Sequence, residues 1–253
     1  MVGANNIAEV NNIQLAYLDE GEGEVVLLLH GFASSARINW GSTGWVDMLV
    51  NEGYRVIAVD HRGHGNSTKL YDPYEYEASM MASDAKALLD LLSIEQAHVI
   101  GYSMGARVAA FMGMNYPAVV KTLTFSGMAS ALVTGVGGAM TISHALLADH
   151  IDEVTDPIGK RFRLFAEKTG SDLKALAACI KITRIKIKGE ALARLTMPVL
   201  VAAGTEDDIS GDPEELKGWI KQLETLIIEG KDHMTAVGAK AHLKGVLAFI
   251  KGY

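Results

Sequence analysis

The stretch Gly101-Tyr102-Ser103-Met104-Gly105 sets a serine between two glycines, each two residues away. An apolar run, Ala97-His98-Val99-Ile100, precedes it, and a helix-forming stretch from Ala106 to Tyr116 follows. Strand, sharp turn, helix is a context that pushes the serine hydroxyl out of the edge of a sheet. The flanking glycines answer a steric demand, because a Cβ at either place would meet neighbouring backbone. This is a position for a nucleophile. A serine hydroxyl is nevertheless a weak one at neutral pH. It needs a base within hydrogen-bond reach, a third group that holds the base, and N–H donors for the oxyanion formed on attack.

Each need has a candidate at the end of an expected strand. Gly230-Lys231-Asp232-His233-Met234 follows the last apolar strand and precedes the last helix, which makes His233 the candidate general base. Gly204-Thr205-Glu206-Asp207 follows the apolar strand Pro198 to Ala203, and Asp208 comes next, so three neighbouring carboxylates compete to orient that base. His30-Gly31-Phe32 follows the apolar run Val25 to Leu29, and its glycine permits a tight turn.

The elements that must position these groups are legible as alternating strands and helices. Strands are expected at Ile13 to Leu18, Val25 to Leu29, Arg55 to Asp60, Ala97 to Gly101, Thr122 to Phe125, Pro198 to Ala203 and Leu223 to Glu229. Helices are expected at Trp45 to Asn51, Glu75 to Leu92, Ala106 to Tyr116 and Thr235 to Lys251, with a further helix starting at Asp212-Pro213-Glu214-Glu215. Continuous apolar runs suit strands covered on both faces, and repeated strand–helix units imply a mostly parallel sheet with helices on both sides. Residues 129–190 break this rhythm with glycines at 135, 137 and 138 followed by irregular helical patterns. They read as a small helical cap inserted into a core domain formed by residues 1–128 and 191–253.

These features together resemble the α/β-hydrolase fold superfamily over nearly the whole chain, and within it small serine esterases and lipases with a short cap. The resemblance implies a catalytic set of Ser103, Asp207 and His233, with Asp208 the main rival to Asp207. It also implies an oxyanion hole formed by the backbone N–H groups of Phe32 and Met104. His30 is then structural, since the backbone beside it does the catalytic work. Asp60-His61-Arg62-Gly63-His64-Gly65-Asn66-Ser67 matches an Asp-x-Arg-Gly-x-Gly-x-Ser loop of that family, whose residues serve as structural ties. The expected activity is hydrolysis of a small-molecule carboxylic ester through an acyl-enzyme, with no cofactor and no metal. The same groups would also serve a perhydrolase, a lactonase or a C–C bond hydrolase, and a non-catalytic binding protein on this scaffold is the remaining alternative.

Composition narrows the rest. The chain has 253 residues, 49% of them hydrophobic and 21% charged, which suits one large globular domain. A net charge of −7 argues against non-specific nucleic-acid binding. Cys179 is the single cysteine and reads as a buried hydrophobe, not a reactive thiol. The segment from Met1 to Asn6 lacks the pattern of a secretion leader, and no apolar run reaches the length of a membrane span, so the expectation is a cytoplasmic protein without stable membrane insertion. Association into a homo-oligomer is left open. Residues 160–194 carry ten Lys or Arg against three Asp or Glu, a basic face with the chemistry to attract anionic substrates or simply to be solvated. Ile182, Ile185 and Ile187 are expected on the pocket side of that face. Met104, Met128, Met140 and Met234 suit either an adaptable acyl pocket or ordinary core packing.

Overall fold

A computed structural model describes residues 6–253. Residues 1–5, and with them most of the segment read for a leader, lie outside the described part. Eight strands form one sheet: β1 (Asn6–Val10), β2 (Ile13–Glu20), β3 (Glu24–Leu29), β4 (Tyr54–Val59), β5 (Ala97–Tyr102), β6 (Val120–Ser126), β7 (Val199–Gly204) and β8 (Leu223–Ile228). Their order is β1-β2-β4-β3-β5-β6-β7-β8. β1 pairs antiparallel with β2, β2 pairs antiparallel with β4, and every pairing from β4 to β8 is parallel. The apolar runs occupy the middle of the sheet, with Leu27 opposite both Ile57 and Val99.

Helices cover both faces because alternate residues of these strands point to opposite sides. One face buries Val46, Leu49, Val246 and Phe249 from α1 (Trp45–Asn51) and the C-terminal helix Lys240–Ile250. The other buries Leu88 and Leu89 of α2 (Ala78–Leu91) and Val108 and Met112 of α3 (Met104–Asn115). Between β6 and β7 the chain forms α4 (Ala131–Thr134), α5 (Ala139–Leu147), α6 (Pro157–Lys168), α7 (Leu173–Thr183) and α8 (Gly189–Leu192), so the last of these helices crosses the boundary expected at residue 190. α9 is the C-terminal helix. Asp156 and Asp172 cap α6 and α7 by accepting hydrogen bonds from Gly159 N and Ala175 N.

Several sequence expectations differ at their edges. β1 escapes the apolar reading because only Ala8 and Val10 face the core, while Ile7 is exposed. It is held by a two-residue hairpin in which Asn11 and Asn12 both take positive φ, a conformation asparagine tolerates. The helix expected from Asp212 is one 3-10 turn, Glu214–Gly218, since Gly218 and the approach of β8 stop it. The last helix begins at Lys240, not at Thr235, because Asp232 Oδ1 accepts hydrogen bonds from the amides of Met234 and Thr235 and holds that stretch as a turn. α2 begins at Ala78, after an extended residue at Glu77.

The Asp60–Ser67 loop is a structural knot. Asp60 accepts from Ala36 N and Asn66 N, and Arg62 makes a two-pronged pair with buried Asp84 at 2.7 and 2.8 Å. His30 and His64 lie inside it with ring centroids 5.2 Å apart. Burial pushes His30 and His242 down to about 4 and His64 to about 3. Below pH about 6.5 the unfolded chain binds protons on these rings that the folded chain refuses, so acid favours unfolding. Stability is therefore fully present above that pH and is lost as pH falls toward the folded values. Each ring removes up to about 1.4 kcal/mol per pH unit. Urea unfolding is expected to show a loss on the order of 5 kcal/mol between pH about 7.5 and about 5. A flat profile over that range would show that these rings are not held neutral.

Candidate active site

The carboxyl ends of β3, β5, β7 and β8 open onto one edge of the sheet, where the direction of chain connection reverses between β3 and β5. Ligand sites in open parallel sheets form at this kind of edge. Ser103 stands there between β5 and α3 with φ 53° and ψ −111°, a strained backbone for a residue with a side chain. The positions two residues before and after it must be glycine. A Cβ on Gly101 would lie 2.2 Å from the Gly105 carbonyl oxygen, and one on Gly105 would lie 1.9 Å from the Leu29 carbonyl oxygen. The backbone N–H of Ser103 donates to Ser126 O at 2.8 Å, tying the turn to β6.

Ser103, His233 and Asp207 form one chain of hydrogen bonds. Ser103 Oγ is 2.9 Å from His233 Nε2, and His233 Nδ1 is 2.9 Å from Asp207 Oδ2. A carboxylate only accepts, so Nδ1 carries the proton and Nε2 is free to accept from the serine. Asp207 also accepts from the amides of Ile209 and Ser210 at 2.9 and 3.0 Å. Burial alone would raise its pKa, but the hydrogen bond and charge of His233, together with these two amides, hold it below the usual carboxylate value. The neighbouring acid is placed elsewhere: the Asp207 side chain is 0% exposed, whereas that of Asp208 is 69% exposed and faces Arg161 at 3.9 Å.

Phe32 and Met104 flank Ser103, and both line a small cavity beside it. Met104 is the first residue of α3, where amides have no acceptor within the helix and the dipole is positive. His30 stays out of this cavity. Its Nδ1 donates to Gly31 O at 2.7 Å and its Nε2 accepts from His61 N at 3.0 Å, so both nitrogens fix the loop. Among the described residues, no three His, Cys, Asp or Glu side chains converge to hold a metal ion.

Some positioning residues carry no signature in the sequence. Asn39 Oδ1 accepts from Gly31 N at 3.1 Å and so sets the loop that presents Phe32. Tyr102 donates its hydroxyl to His233 O at 2.7 Å, fixing the histidine loop from within β5. Thr169, after α6, donates to Ala33 O at 3.0 Å and links the cap to the same loop as Phe32.

A larger cavity of about 220 Å³ opens at Ser103 and is walled mainly by apolar side chains, among them Phe162 and Phe165 from α6, Ile38 and Met234. The isoleucines expected on its wall are placed differently. Ile187 is buried in the core, Ile185 is exposed, and neither they nor Ile182 lines either cavity; Ile180 lines the small one. Of the methionines, Met104 and Met128 line the small cavity while Met140 is exposed. Cys179 is buried with Sγ 3.9 Å from the Met104 sulfur, and burial pushes its thiol up, away from reactivity.

Comparison with known proteins agrees with this architecture. A family model described as alpha/beta hydrolase fold matches residues 24–137. The 2-hydroxy-6-oxononadienedioate/2-hydroxy-6-oxononatrienedioate hydrolase of Paraburkholderia phymatum is 36% identical over 122 residues, which are 46% of this chain and 40% of that protein. The 2-hydroxy-6-oxo-6-phenylhexa-2,4-dienoate hydrolase of Comamonas testosteroni is 27% identical over 219 residues, 84% of this chain and 65% of that one. Less than two thirds of either relative is thus represented. The solved structure of an esterase from Exiguobacterium antarcticum superposes with a TM-score of 0.82, covering 98% of this chain and 100% of that one, at 19% identity, a likeness of fold. The chain has the α/β-hydrolase fold, and its likeness to that family's model spans residues 24–137. Among the described residues, no helix is long and apolar enough to cross a membrane.

Proposed function

We propose that this protein hydrolyses carboxylic esters through an acyl-enzyme on Ser103. The observation that carries the reading is the unbroken hydrogen-bond chain from Ser103 Oγ through His233 to Asp207. The serine oxygen bonds to the ester carbonyl carbon as its proton passes to His233 Nε2. The carbonyl oxygen becomes an oxyanion, held by the amides of Phe32 and Met104, an effect worth about 3–4 kcal/mol per donor in sites of this kind. The C–O bond to the alcohol then breaks, and His233 returns the proton to the departing oxygen. Water repeats the sequence and frees the acid, while Asp207 stabilises the imidazolium in both halves. No cofactor takes part. Residues 129–190 act as the cap, covering the larger cavity with Phe162 and Phe165, whose apolar faces would receive the acyl chain while water reaches the carbonyl.

A second reading is favoured by the names of the two relatives, both of which are hydrolases of oxo-dienoates. In that reading the bond cleaved is a C–C bond beside a ketone, with Ser103 again the group brought to the carbonyl. A substrate panel separates the two. p-Nitrophenyl esters of increasing acyl length are expected to be turned over, with a rate maximum at the length that the cavity of about 220 Å³ accommodates. Inactivity on every ester, with cleavage of an oxo-dienoate, would replace the ester reading by the second.

A further inference from the structure

The wall of the larger cavity at Ser103 is of two kinds. The cap and the loops after β7 and β8 supply Phe162, Phe165, Ile209, Met234 and Val237. The stretch after β3 supplies Ser34, Asn39 and Thr43, with Ile38 among them. Thr43 donates to Asn39 O at 2.6 Å, but two other groups of this stretch are left over. Asn39 Nδ2 is buried without an acceptor, since the amide is held only through Oδ1, by Gly31 N. Ser34 is 5% exposed, and among the described residues its hydroxyl has no hydrogen-bond partner. A buried polar group left unpaired is costly, so two of them in one wall call for a ligand that answers them.

Ser34 and Ile38 also line a second cavity of about 220 Å³, so the two spaces meet at these side chains. The second cavity lies between the Asp60–Ser67 loop and the residues that follow α6, and Ile38 is its one apolar side chain. Hydroxyls dominate the rest. Ser35 Oγ accepts from Ile38 N at 3.2 Å and keeps its own proton to give. Thr169 donates to main-chain oxygen, so Ser171 donates to Thr169 at 2.9 Å and keeps lone pairs to accept with. Asn66 adds a side-chain amide that has no partner among the described residues. Charge does not choose the ligand, because Asp60 and Arg37 contribute one charge of each sign. A neutral group bearing several hydroxyls, each both donor and acceptor, matches this wall where an alkyl chain or an ion would not.

We infer that the second cavity is an alcohol-side subsite that holds a polyhydroxylated leaving group, of the glycerol or sugar kind, while the apolar wall of the larger cavity holds the acyl chain. The substrate class is then an ester of an apolar acid with a polyol. This rests on the ester reading for its chemistry, but the subsite itself is testable without turnover.

Two measurements separate the claims. In the first, kcat/KM is compared for 1-hexanoylglycerol and methyl hexanoate, which share the acyl group. The native protein is expected to favour the glycerol ester by about 10-fold or more, the effect of two or three net hydrogen bonds. Ser34→Ala removes a hydroxyl that no other described residue uses, so the fold loses no bond, and the ratio is expected to fall by about 3-fold or more. Ser171→Leu, which fills the cavity from the cap side, is expected to bring the ratio to about one. 6-O-hexanoylglucose forms a parallel arm, and a preference for it over the methyl ester supports the subsite with a sugar as the alcohol. In the second measurement, 1-O-hexylglycerol, whose ether link is not hydrolysed, and hexyl methyl ether are titrated calorimetrically onto Ser103→Ala protein with and without Ser171→Leu. Binding of the glycerol ether that is tighter by about 10-fold, and loses that advantage with Ser171→Leu, supports the subsite even if no ester is hydrolysed, an outcome that would overturn the ester reading alone. Equal turnover of the glycerol, glucose and methyl esters, with equal binding of the two ethers, would overturn the subsite and leave the ester reading standing.

Discussion

Ser103→Ala is expected to lower kcat for ester hydrolysis by about 10⁴- to 10⁶-fold while leaving the protein folded. The loss is large because the Ser103 hydroxyl is the one bonded to the base. The serine oxygen is the group 2.9 Å from His233 Nε2, and only the strained turn at φ 53° holds it there. Water would have to enter without the covalent intermediate that divides the reaction into two easier steps. Removing the hydroxyl disturbs little else, since it leaves the ring of His233 still bonded to Asp207. The strain provides a second readout. Ser103→Gly is expected to be as inactive as Ser103→Ala but more stable by about 1 kcal/mol, because glycine accepts positive φ without a Cβ penalty. Activity retained in both variants would remove Ser103 from the chemistry.

Asp207→Asn is expected to reduce kcat by about 10⁴-fold, and Asp208→Asn by less than about 3-fold. The first change is isosteric, and its effect comes from the proton on the histidine. Oδ1 of Asp207 receives the amides of Ile209 and Ser210, so the amide oxygen of an asparagine would keep that place. Its NH₂ group would then face His233 Nδ1 and donate to it. The ring proton would be forced onto Nε2, which could no longer accept from Ser103. Asp208 has no such connection, since its side chain is largely exposed and its one ion pair, to Arg161, spans 3.9 Å. Steady-state kinetics of both variants at one pH makes the comparison, and equal losses would show that His233 takes its orientation from something other than Asp207.

Much of the positioning framework is legible in the sequence. The middle strands announce themselves as apolar runs because both of their faces are covered, and the glycines around Ser103 because their Cβ atoms would meet backbone oxygens. The edge strand β1 was not legible, since half of its side chains face solvent and its turn is a pair of asparagines. Helices are shorter than their sequence pattern suggests where a side chain competes for the backbone. Asp232 does this before α9, and the run after Asp212 is too short to propagate beyond one turn. The isoleucines of residues 182–187 illustrate a different limit. Their apolar character predicts that they are covered, but the packing of the cap buries Ile187 and leaves Ile185 exposed.

The sequence by itself determined the local geometry of the nucleophile turn and the order in which a serine, an acid and a histidine follow one another, because backbone sterics and strand–helix alternation act over a few residues. Only the tertiary structure brought Ser103 to His233 across 130 residues and chose between two adjacent aspartates. It alone gathered Ser34, Asn66 and Ser171, from three separate stretches of the chain, around one polar cavity. Such pairings depend on the register of parallel strands and on how the cap helices pack above them, and neither is encoded at any single position.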